Sequence, residues 1–382
     1  MGYYRTLSLH LIAKKVTNMT GIDRRYFLYF DWLTFALTIT LSAIGLAFVY
    51  SSTTTTIEPY SIFFKKQLFG FISGYVIYFF FCFTDFRKLC RAGYFIYFLV
   101  FLMLIFTLIK GKIGMGAQRW IDLKFIKFQP SEIAKLFLPA FITYYLYTEN
   151  DVPVYTLNSF YPILGVLIMS CILIRQQPDL GTAIIVFGSG ILLVWLAGIS
   201  KRFFLIGLAC AIIAAPIGWK LLRPYQKQRV LVFLGEGDTH KERYHIEQSK
   251  IAIGSGALTG KGFCQGTQNK FLFLPESRTD FIFAVICEEW GFIGALIILL
   301  LYALLFSRII FRIMYVPTFF GQLLGMGLLV SIILSAIINM CMVCGLLPIV
   351  GIPLPLLSYG VTALWITLAS LGWIQGIVTK SF

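Results

Sequence analysis

Residues 273–291 read FLPESRTDFIFAVICEEWG, and within this stretch a polar segment changes abruptly into an apolar one. Asp280 is the last charged residue before the apolar run. An apolar helix that begins next to polar residues is typical of a membrane crossing whose end lies at the interface. The pattern therefore predicts that Asp280 lies at a membrane boundary.

The composition of the chain predicts many such boundaries. Its 382 residues are 58% hydrophobic and 13% charged, which is too apolar for a soluble protein. Because lipid satisfies no backbone hydrogen bonds, we predict an all-α, polytopic integral membrane protein. Each crossing needs about 20 apolar residues. About ten transmembrane helices are predicted, at residues 29–50, 67–83, 93–109, 132–147, 160–174, 180–199, 203–222, 281–306, 321–347 and 357–378.

These crossings divide the chain into two parts. Residues 1–28 form a basic segment without the apolar run and cleavage site of a signal peptide, so we expect it to be retained. Residues 29–382 form the transmembrane domain, including a large outer loop at 223–280. If the N-terminus lies inside, the inside segments contain more Lys and Arg than the short outer loops do. This bias predicts that both termini are cytoplasmic.

The outer segment 110–131 departs from this bias because it is strongly basic. Its lysines either extend toward anionic lipid headgroups or bind an anionic ligand. Arg119 and Trp120 are either an interfacial anchor or part of a polar site with Glu132 and Lys135. The last two residues share one face of a predicted membrane helix, where charges are costly. They either neutralise each other or line a polar cavity.

Four acidic residues lie next to or within the predicted sixth and eighth crossings. Asp280 can cap the eighth crossing, and Asp179 can cap the sixth. A carboxylate at a helix N-terminus is stabilised in its charged form, which weakens it as a base unless burial counters the effect. Glu288 and Glu289 lie deeper in the eighth crossing. They either relay protons or ions, or fix helix packing through buried hydrogen bonds, and we favour packing.

Six segments resemble the signature sequences of the SEDS family of membrane proteins, whose members include RodA, FtsW and SpoVE. They occur in family order and span most of the chain outside residues 1–28. The GTQ segment is more similar to RodA, the member that acts in cell elongation. The segments are RWIDLKFIKFQPSEIAKL (119–136), QPDLGT (177–182), QSKIAIGSG (248–256), GTQ (266–268), LPESRTDFIFAVICEEWGFIGA (274–295) and GIPLPLLSYG (351–360).

The resemblance implies a peptidoglycan glycosyltransferase. SEDS proteins polymerise lipid II, a disaccharide-pentapeptide on undecaprenyl pyrophosphate, at the outer face of the bacterial cytoplasmic (inner) membrane. The growing glycan strand is carried on the same lipid pyrophosphate. These proteins usually act with a class B penicillin-binding protein, and for an elongation member with other elongation-complex proteins. Transfer needs a base for the acceptor hydroxyl and positive charge for the departing pyrophosphate.

The family pattern also implies roles for individual residues. Asp280 resembles the essential aspartate and is the predicted catalytic residue. The predicted substrate-binding residues are Arg119, Trp120, Glu132, Lys135, Asp179, Arg278 and Ser358. The predicted structural residues around them are Glu288, Glu289, Pro353 and Gly360.

This chain departs from the family pattern at three positions. Arg278 stands where His is common, Cys287 where Gly is common, and Val361 where a second Gly is common. Arg278 places a permanent charge beside the predicted base, which favours the ionised form of Asp280. Val361 leaves the bend after Tyr359 undetermined.

No resident cofactor is predicted, and no protein metal site, because the His and Cys residues lack metal-ligand spacing. A divalent cation, Mg²⁺ or Mn²⁺, that bridges Asp280 and the substrate pyrophosphate is left open by the chemistry of phosphates. Nucleic acid is not expected as a partner, because the basic residues are scattered without a recognisable binding module.

Two other functions compete with glycosyl transfer. The first is a lipid II flippase or transporter, for which intramembrane charges would line a polar path. The second is a scaffold for a penicillin-binding protein, which would leave the Asp280 motif without a purpose. Against a transporter, we find no inverted repeat of broken segments.

Overall fold

The computed structural model describes residues 29–54, 58–114, 117–122, 127–149, 157–222, 224–236, 240–271, 273–274 and 276–381. The predicted basic segment 1–28 lies outside them. The described elements are α1 (Trp32–Thr53), α2 (Ile62–Phe83), α3 (Phe86–Lys110), β1 (Lys112–Gly114), β2 (Ala117–Asp122), β3 (Lys127–Phe128), α4 (Pro130–Glu149), α5 (Leu157–Gln176), α6 (Leu180–Leu196), α7 (Lys201–Leu221), α8 (Pro224–Phe233), α9 (His240–Ser255), α10 (Thr267–Lys270), α11 (Ile282–Met314), α12 (Phe319–Val343) and α13 (Val361–Lys380).

Long helices occupy the positions of all the predicted crossings. Seven of those in the described ranges are long and apolar enough to cross a membrane, namely α1, α2, α3, α5, α11, α12 and α13. Helices α4, α6 and α7 lie at the other predicted crossings. Helix α6 has only 17 residues, and α4 carries Glu132 and Lys135 near its start. The all-α, multi-pass architecture is confirmed, whereas the number ten stays a prediction.

Several helix ends differ from the predicted ones. Helix α11 continues past the predicted end at residue 306 to Met314, and α12 ends at Val343. Helix α13 begins at Val361, because residues 357–360 belong to an irregular loop. Hydropathy placed the end of α12 and the start of α13 wrongly, since apolar loop residues extend an apolar run without being helical. It ended α11 too early because the helix continues through the polar residues Ser307 and Arg308.

The polar segments outside the long helices contain structure that the sequence did not predict. Helices α8, α9 and α10 lie within the segment 223–280, which the sequence predicts to be an outer loop. The basic segment 110–131 contains an antiparallel sheet in the order β1-β2-β3. Within it Lys112 lies opposite Trp120, and Ile121 lies opposite Phe128. The sheet is compatible with a membrane protein only where its open edges are away from lipid.

The described buried apolar residues form two clusters. One is built mainly from α1, α2, α11, α12 and α13, and the other mainly from α3, α4, α5 and α6. Helix α13 packs along α2, and α3 packs along α4. At the first of these interfaces a Cβ added to Gly372 would lie 2.2 Å from the carbonyl oxygen of Tyr78. Small residues of this kind let membrane helices approach closely.

Helix α11 is interrupted at Gly291, whose φ of 67° and ψ of −161° are not helical. A Cβ at Gly291 would lie 2.4 Å from the backbone nitrogen of Gly260. The backbone N–H groups of Phe292 and Ile293 donate to the carbonyls of Ala257 and Leu258. The interruption therefore lets the segment after α9 bind to the side of α11.

Candidate functional site

Asp280 lies immediately before α11, on the segment that the sequence singled out. The helix begins at Ile282 after Phe281, and no side chain caps it. The interpretation of Asp280 as the N-cap residue is therefore wrong, because the helix begins too late for its side chain to serve. The carboxylate instead lies next to Gly351, where an added Cβ would be 3.5 Å from Asp280 Oδ2.

The main chain around Asp280 is tied to the loop at 351–360. Ser358 Oγ donates to the carbonyl oxygen of Thr279 at 2.5 Å and accepts from the backbone N–H of Leu354. The backbone N–H of Tyr359 donates to the carbonyl oxygen of Arg278 at 2.9 Å. These bonds hold the two family segments, 274–295 and 351–360, against each other.

Two buried amide side chains complete this support. Gln67 on α2 donates to the carbonyl oxygen of Ser358 and accepts from the N–H of Gly360, which precedes α13. Asn339 on α12 donates to the carbonyl oxygens of Asp280 and Ile352, at 2.8 and 2.6 Å. The loop and the Asp280 segment are therefore attached to two different membrane helices.

The surroundings of Asp280 favour a carboxyl group that titrates near neutral pH. The residue keeps some exposed surface, but its carboxyl is enclosed by protein atoms, and this burial raises its pKa to about 6. The neighbouring Glu276 and Asp179 also raise the pKa, whereas Arg119 and Arg229 lower it. A carboxylate with this pKa can accept a proton near neutral pH.

Arg119 and Asp179 form an ion pair beside this carboxyl. Arg119 Nη1 lies 3.3 Å from Asp179 Oδ1, and the guanidinium lies 5.9 Å from the ring centroid of Trp120. Gln129 and Ser131 donate to Asp179 Oδ2. Asp179 also accepts from the backbone of α6 at Thr182, so its predicted capping role is confirmed.

The Arg278 side chain packs on an aromatic ring. Its guanidinium lies 3.9 Å from the ring centroid of Phe63, a cation–π contact, and Phe63 meets Tyr359 edge to face. Burial raises the pKa of Tyr359, and the nearby Arg278 cation offsets part of this increase. The predicted substrate-binding role of Arg278 stays a prediction.

Glu132 and Lys135 form a buried ion pair within α4, with 2.7 Å between Oε2 and Nζ. Lys135 also lines a cavity between α4, α12 and α13. The neutralisation left open by the sequence is therefore confirmed, and of the two residues Lys135 lines the cavity. The cavity's polar lining comes from Lys135, Ser331, Ser335, Ser358, Thr367 and Ser370, with Pro353 at its edge.

Glu288 and Glu289 both bind the segment that follows α9. Glu288 Oε1 accepts from Lys261 Nζ, from the hydroxyl and backbone of Thr267, and from the backbone of Gln268. Glu289 accepts from Ser51 Oγ and from the backbone N–H of Cys264. Both carboxylates thus hold the segment that contains GTQ against α11.

Comparison with known proteins places the chain in a family. Residues 31–381 match the FtsW/RodA/SpoVE family, described as "Cell cycle protein". The chain belongs to this family. The resemblance to SEDS proteins, and to RodA among them, is confirmed.

The relatives include proteins named for their activity. The peptidoglycan glycosyltransferase MrdB of Escherichia coli strain K12 is 44% identical over 289 residues, which cover 75% of this chain and 77% of that protein. A solved chain described as part of a peptidoglycan synthase complex is 28% identical, with a TM-score of 0.78 over 92% of this chain and 98% of its own. The rod shape determining protein RodA of Thermus thermophilus is 25% identical, with a TM-score of 0.68 over 92% and 97%. This chain is a multi-pass membrane protein of the same family.

The sequence analysis did not identify three residues that lie around Asp280. Arg229 on α8 lies in a polar segment where nothing distinguishes it from other basic residues. Gln67 and Asn339 are amides inside predicted crossings, and such polar residues are costly in lipid. That cost is a signal that could have identified both amides.

The described part of the chain does not assemble a metal site. Nowhere in the described ranges do three His, Cys, Asp or Glu side chains gather as ligands. Two arginines act on the Asp280 carboxyl, and their positive charges oppose the binding of Mg²⁺ or Mn²⁺ there. We therefore derive no step through a metal ion held by the protein.

Proposed function

We propose that this chain is a peptidoglycan glycosyltransferase that polymerises lipid II into glycan strands during cell elongation. The observation that carries the proposal is the enclosed carboxyl of Asp280, whose pKa is about 6. Burial and two nearby acids raise this pKa, and the two arginines Arg119 and Arg229 lower it. The family membership and the names of its relatives support the same activity. A base and positive charge are the two groups that glycosyl transfer from a lipid pyrophosphate requires.

In the proposed step, Asp280 accepts the proton of the acceptor's GlcNAc 4-hydroxyl. The hydroxyl oxygen forms a bond to the donor's anomeric carbon while the bond from that carbon to the pyrophosphate oxygen breaks. The pyrophosphate leaves with the electron pair, and the configuration at the anomeric carbon inverts. Arg119 and Arg229 stabilise the negative charge that develops on the departing pyrophosphate. One carboxylate suffices because the leaving group is already activated.

The substrate has two surfaces to occupy. The basic side, at Arg119 and Arg229, suits the pyrophosphate. The cavity next to Lys135 and Ser358 has room for only a few water molecules, so its hydroxyl and ammonium donors suit single oxygens of the substrate rather than a whole sugar. Trp120, Glu132, Asp179 and Arg278 remain predicted contacts or supports of this substrate.

The divalent cation expected at the pyrophosphate remains a proposal about the substrate. The ion would be carried by the phosphate oxygens of lipid II, since the described side chains do not gather as its ligands. Turnover measured with EDTA, and again after Mg²⁺ or Mn²⁺ is added back, tests this. Restoration by the ion supports it, and full turnover in EDTA contradicts it.

The proposed location follows from the same activity. The chain lies in the bacterial cytoplasmic (inner) membrane with both termini in the cytoplasm and Asp280 at the outer face. Its proposed partners are a class B penicillin-binding protein and other elongation-complex proteins. The likeness to a chain of a peptidoglycan synthase complex supports a synthase partner.

A lipid II flippase remains the second candidate. The observation that favours it is the Glu132–Lys135 pair beside a polar cavity, because buried charges often mark transport paths. The relatives named peptidoglycan glycosyltransferases favour glycosyl transfer over this candidate.

The deciding experiment is reconstitution of the full chain with lipid II and a class B penicillin-binding protein. We expect glycan strands from the native protein and none from Asp280→Asn, which keeps the shape of the side chain. Asp85→Asn is the control for the substitution itself, because Asp85 is an aspartate that caps α3 and is not part of the site around Asp280. Equal polymerisation by native protein and Asp280→Asn removes the base assignment, and lipid II translocation without polymerisation supports the flippase.

A further inference from the structure

Asn339 connects two segments of the site from within a membrane helix. It lies near the end of α12, and its side chain is fully buried. One Nδ2 group donates to the carbonyl oxygen of Asp280 at 2.8 Å and to that of Ile352 at 2.6 Å. The amide therefore bridges the segment before α11 and the loop at 351–360.

The chemistry of the amide fixes its direction. A carboxamide has two N–H donors on one end and only acceptors on the other. Reversing it would place the Asn339 oxygen against the carbonyl oxygens of Asp280 and Ile352. Because a buried amide is costly unless it is hydrogen-bonded, both bonds favour one orientation.

A second attachment holds the same stretch of main chain from the other side. Ser358 Oγ donates to the carbonyl oxygen of Thr279, the residue before Asp280. Two successive carbonyls, those of Thr279 and Asp280, are thus held by different elements. Neither bond uses the Asp280 carboxylate, so both leave that group available for chemistry.

We propose that Asn339 is a positioning residue for the general base: its amide ties the main chain of Asp280 to Ile352 and so holds the carboxylate beside Gly351. The inference rests on the proposed glycosyltransferase function and adds to it a residue that does not touch substrate. A carboxylate displaced by about 1 Å from its productive place can cost a factor of about 100 in rate.

Loss of the amide has a distinct kinetic consequence. Substrate contacts at Arg119 and the Lys135 cavity remain, so substrate binding is retained while the proton transfer is impaired. The Asp280 carboxyl also shifts relative to the charged groups that set its pKa, so the pKa departs from about 6. The groups that act on it are Glu276 on its own segment, Arg119 on β2, Arg229 on α8 and Asp179 at the start of α6, and none of them is altered.

The test compares Asn339→Leu with Gln322→Leu in the full chain, reconstituted with lipid II and a class B penicillin-binding protein. Gln322 is the matched control, because its Nε2 also bridges two backbone carbonyls, those of Met314 and Val316, at the opposite end of α12. For Asn339→Leu we expect kcat to fall about 10- to 100-fold with KM within about twofold. The acid limb of its pH–rate profile moves away from that of the native protein. Gln322→Leu retains the native kcat and pH profile.

Three results decide the inference. Native kcat in Asn339→Leu overturns it, and so does an equal kcat loss in both variants, because that indicates a purely structural effect. If the native protein itself forms no glycan, the proposed function fails instead. Where Asn339→Leu does not insert, Asn339→Ser keeps one hydroxyl donor, and we expect an intermediate kcat; native kcat in Asn339→Ser would then overturn the inference.

Discussion

The carboxylate of Asp179 lies 3.3 Å from the guanidinium of Arg119, which joins the sheet strand β2 to the start of α6. The side chain of Asp179 is 1% exposed and that of Arg119 is 19% exposed. Removing Arg119 would leave the buried Asp179 carboxylate without its cation, which destabilises the fold. The pair places a positive charge near Asp280 without placing it in direct contact.

This pair leads to the first prediction. Asp179→Asn keeps an acceptor for the cap of α6 but removes the charge that orients Arg119. We expect turnover of lipid II to fall by about tenfold, and the combined variant with Arg119→Ala to lose less than the two single effects added together. Initial rates of glycan formation give both values.

Asp31→Asn is the matched control for Asp179→Asn. Asp31 is also a buried helix cap paired with an arginine, since it caps α1 and binds Arg308 at 3.0 Å. We expect this variant to lower the unfolding temperature and to leave turnover per folded molecule unchanged. Additive losses for Asp179→Asn and Arg119→Ala would show that the pair does not act as a unit.

The second prediction concerns pH. Because the base must be ionised, turnover falls as the pH is lowered through about 6, the raised pKa of Asp280. Arg229→Met removes a cation that lowers this pKa, so the acid limb moves to higher pH, and Arg229→Lys keeps it in place. Glu276→Gln moves the limb to lower pH. Identical profiles for Arg229→Met and Arg229→Lys would remove Arg229 from the electrostatics of the site.

The same pKa has a consequence for stability, with a defined sign. The folded state binds the Asp280 proton more tightly than the unfolded state, whose carboxyl titrates near 3.8. The stabilisation is complete below that pH and is lost as the pH rises through about 6. The unfolding temperature of Asp280→Asn relative to the native protein should therefore increase between pH 4 and pH 7, and a constant difference would contradict the enclosed carboxyl.

The third prediction tests the interruption of α11. Gly291→Ala places a Cβ against Gly260 at a φ of 67°, so we expect it to reduce the free energy of unfolding by about 1–3 kcal/mol. Gly165→Ala on α5 is the matched control, because no atom lies within 4 Å of its added Cβ. Thermal unfolding in detergent measures both, and equal unfolding temperatures would refute the close approach.

The fourth prediction compares a buried ion pair with an exposed one. Glu288 is fully buried and lies 2.7 Å from Lys261, whereas the side chains of Arg243 and Glu247 are 64% and 56% exposed. We expect Lys261→Met to cost about 1.5–3 kcal/mol of stability, because it removes a hydrogen bond to a buried charge. Glu247→Leu should cost less than about 1 kcal/mol, since surface pairs contribute little. Unfolding measurements that rank the two in the reverse order would contradict this.

Much of the fold could be predicted from hydropathy, because crossing lipid demands long apolar helices wherever they occur. The helix ends at Val343 and Val361 could not, since the loop between them is as apolar as the helices it joins. The sheet at 112–128 could not either, because its pairing depends on residues that meet only when the hairpin folds.

The amino-acid sequence by itself determined the membrane class, the family and the prominence of Asp280, because these depend on composition and on contiguous motifs. Only the tertiary structure decided what surrounds that carboxyl. It brought Arg229 from α8 and Asn339 from α12 to the same place, and it turned Arg278 toward Phe63. It also showed that Asp280 does not cap its helix. The reason is physical: enclosure, hydrogen-bond partners and nearby charges depend on distances between segments that are far apart along the chain.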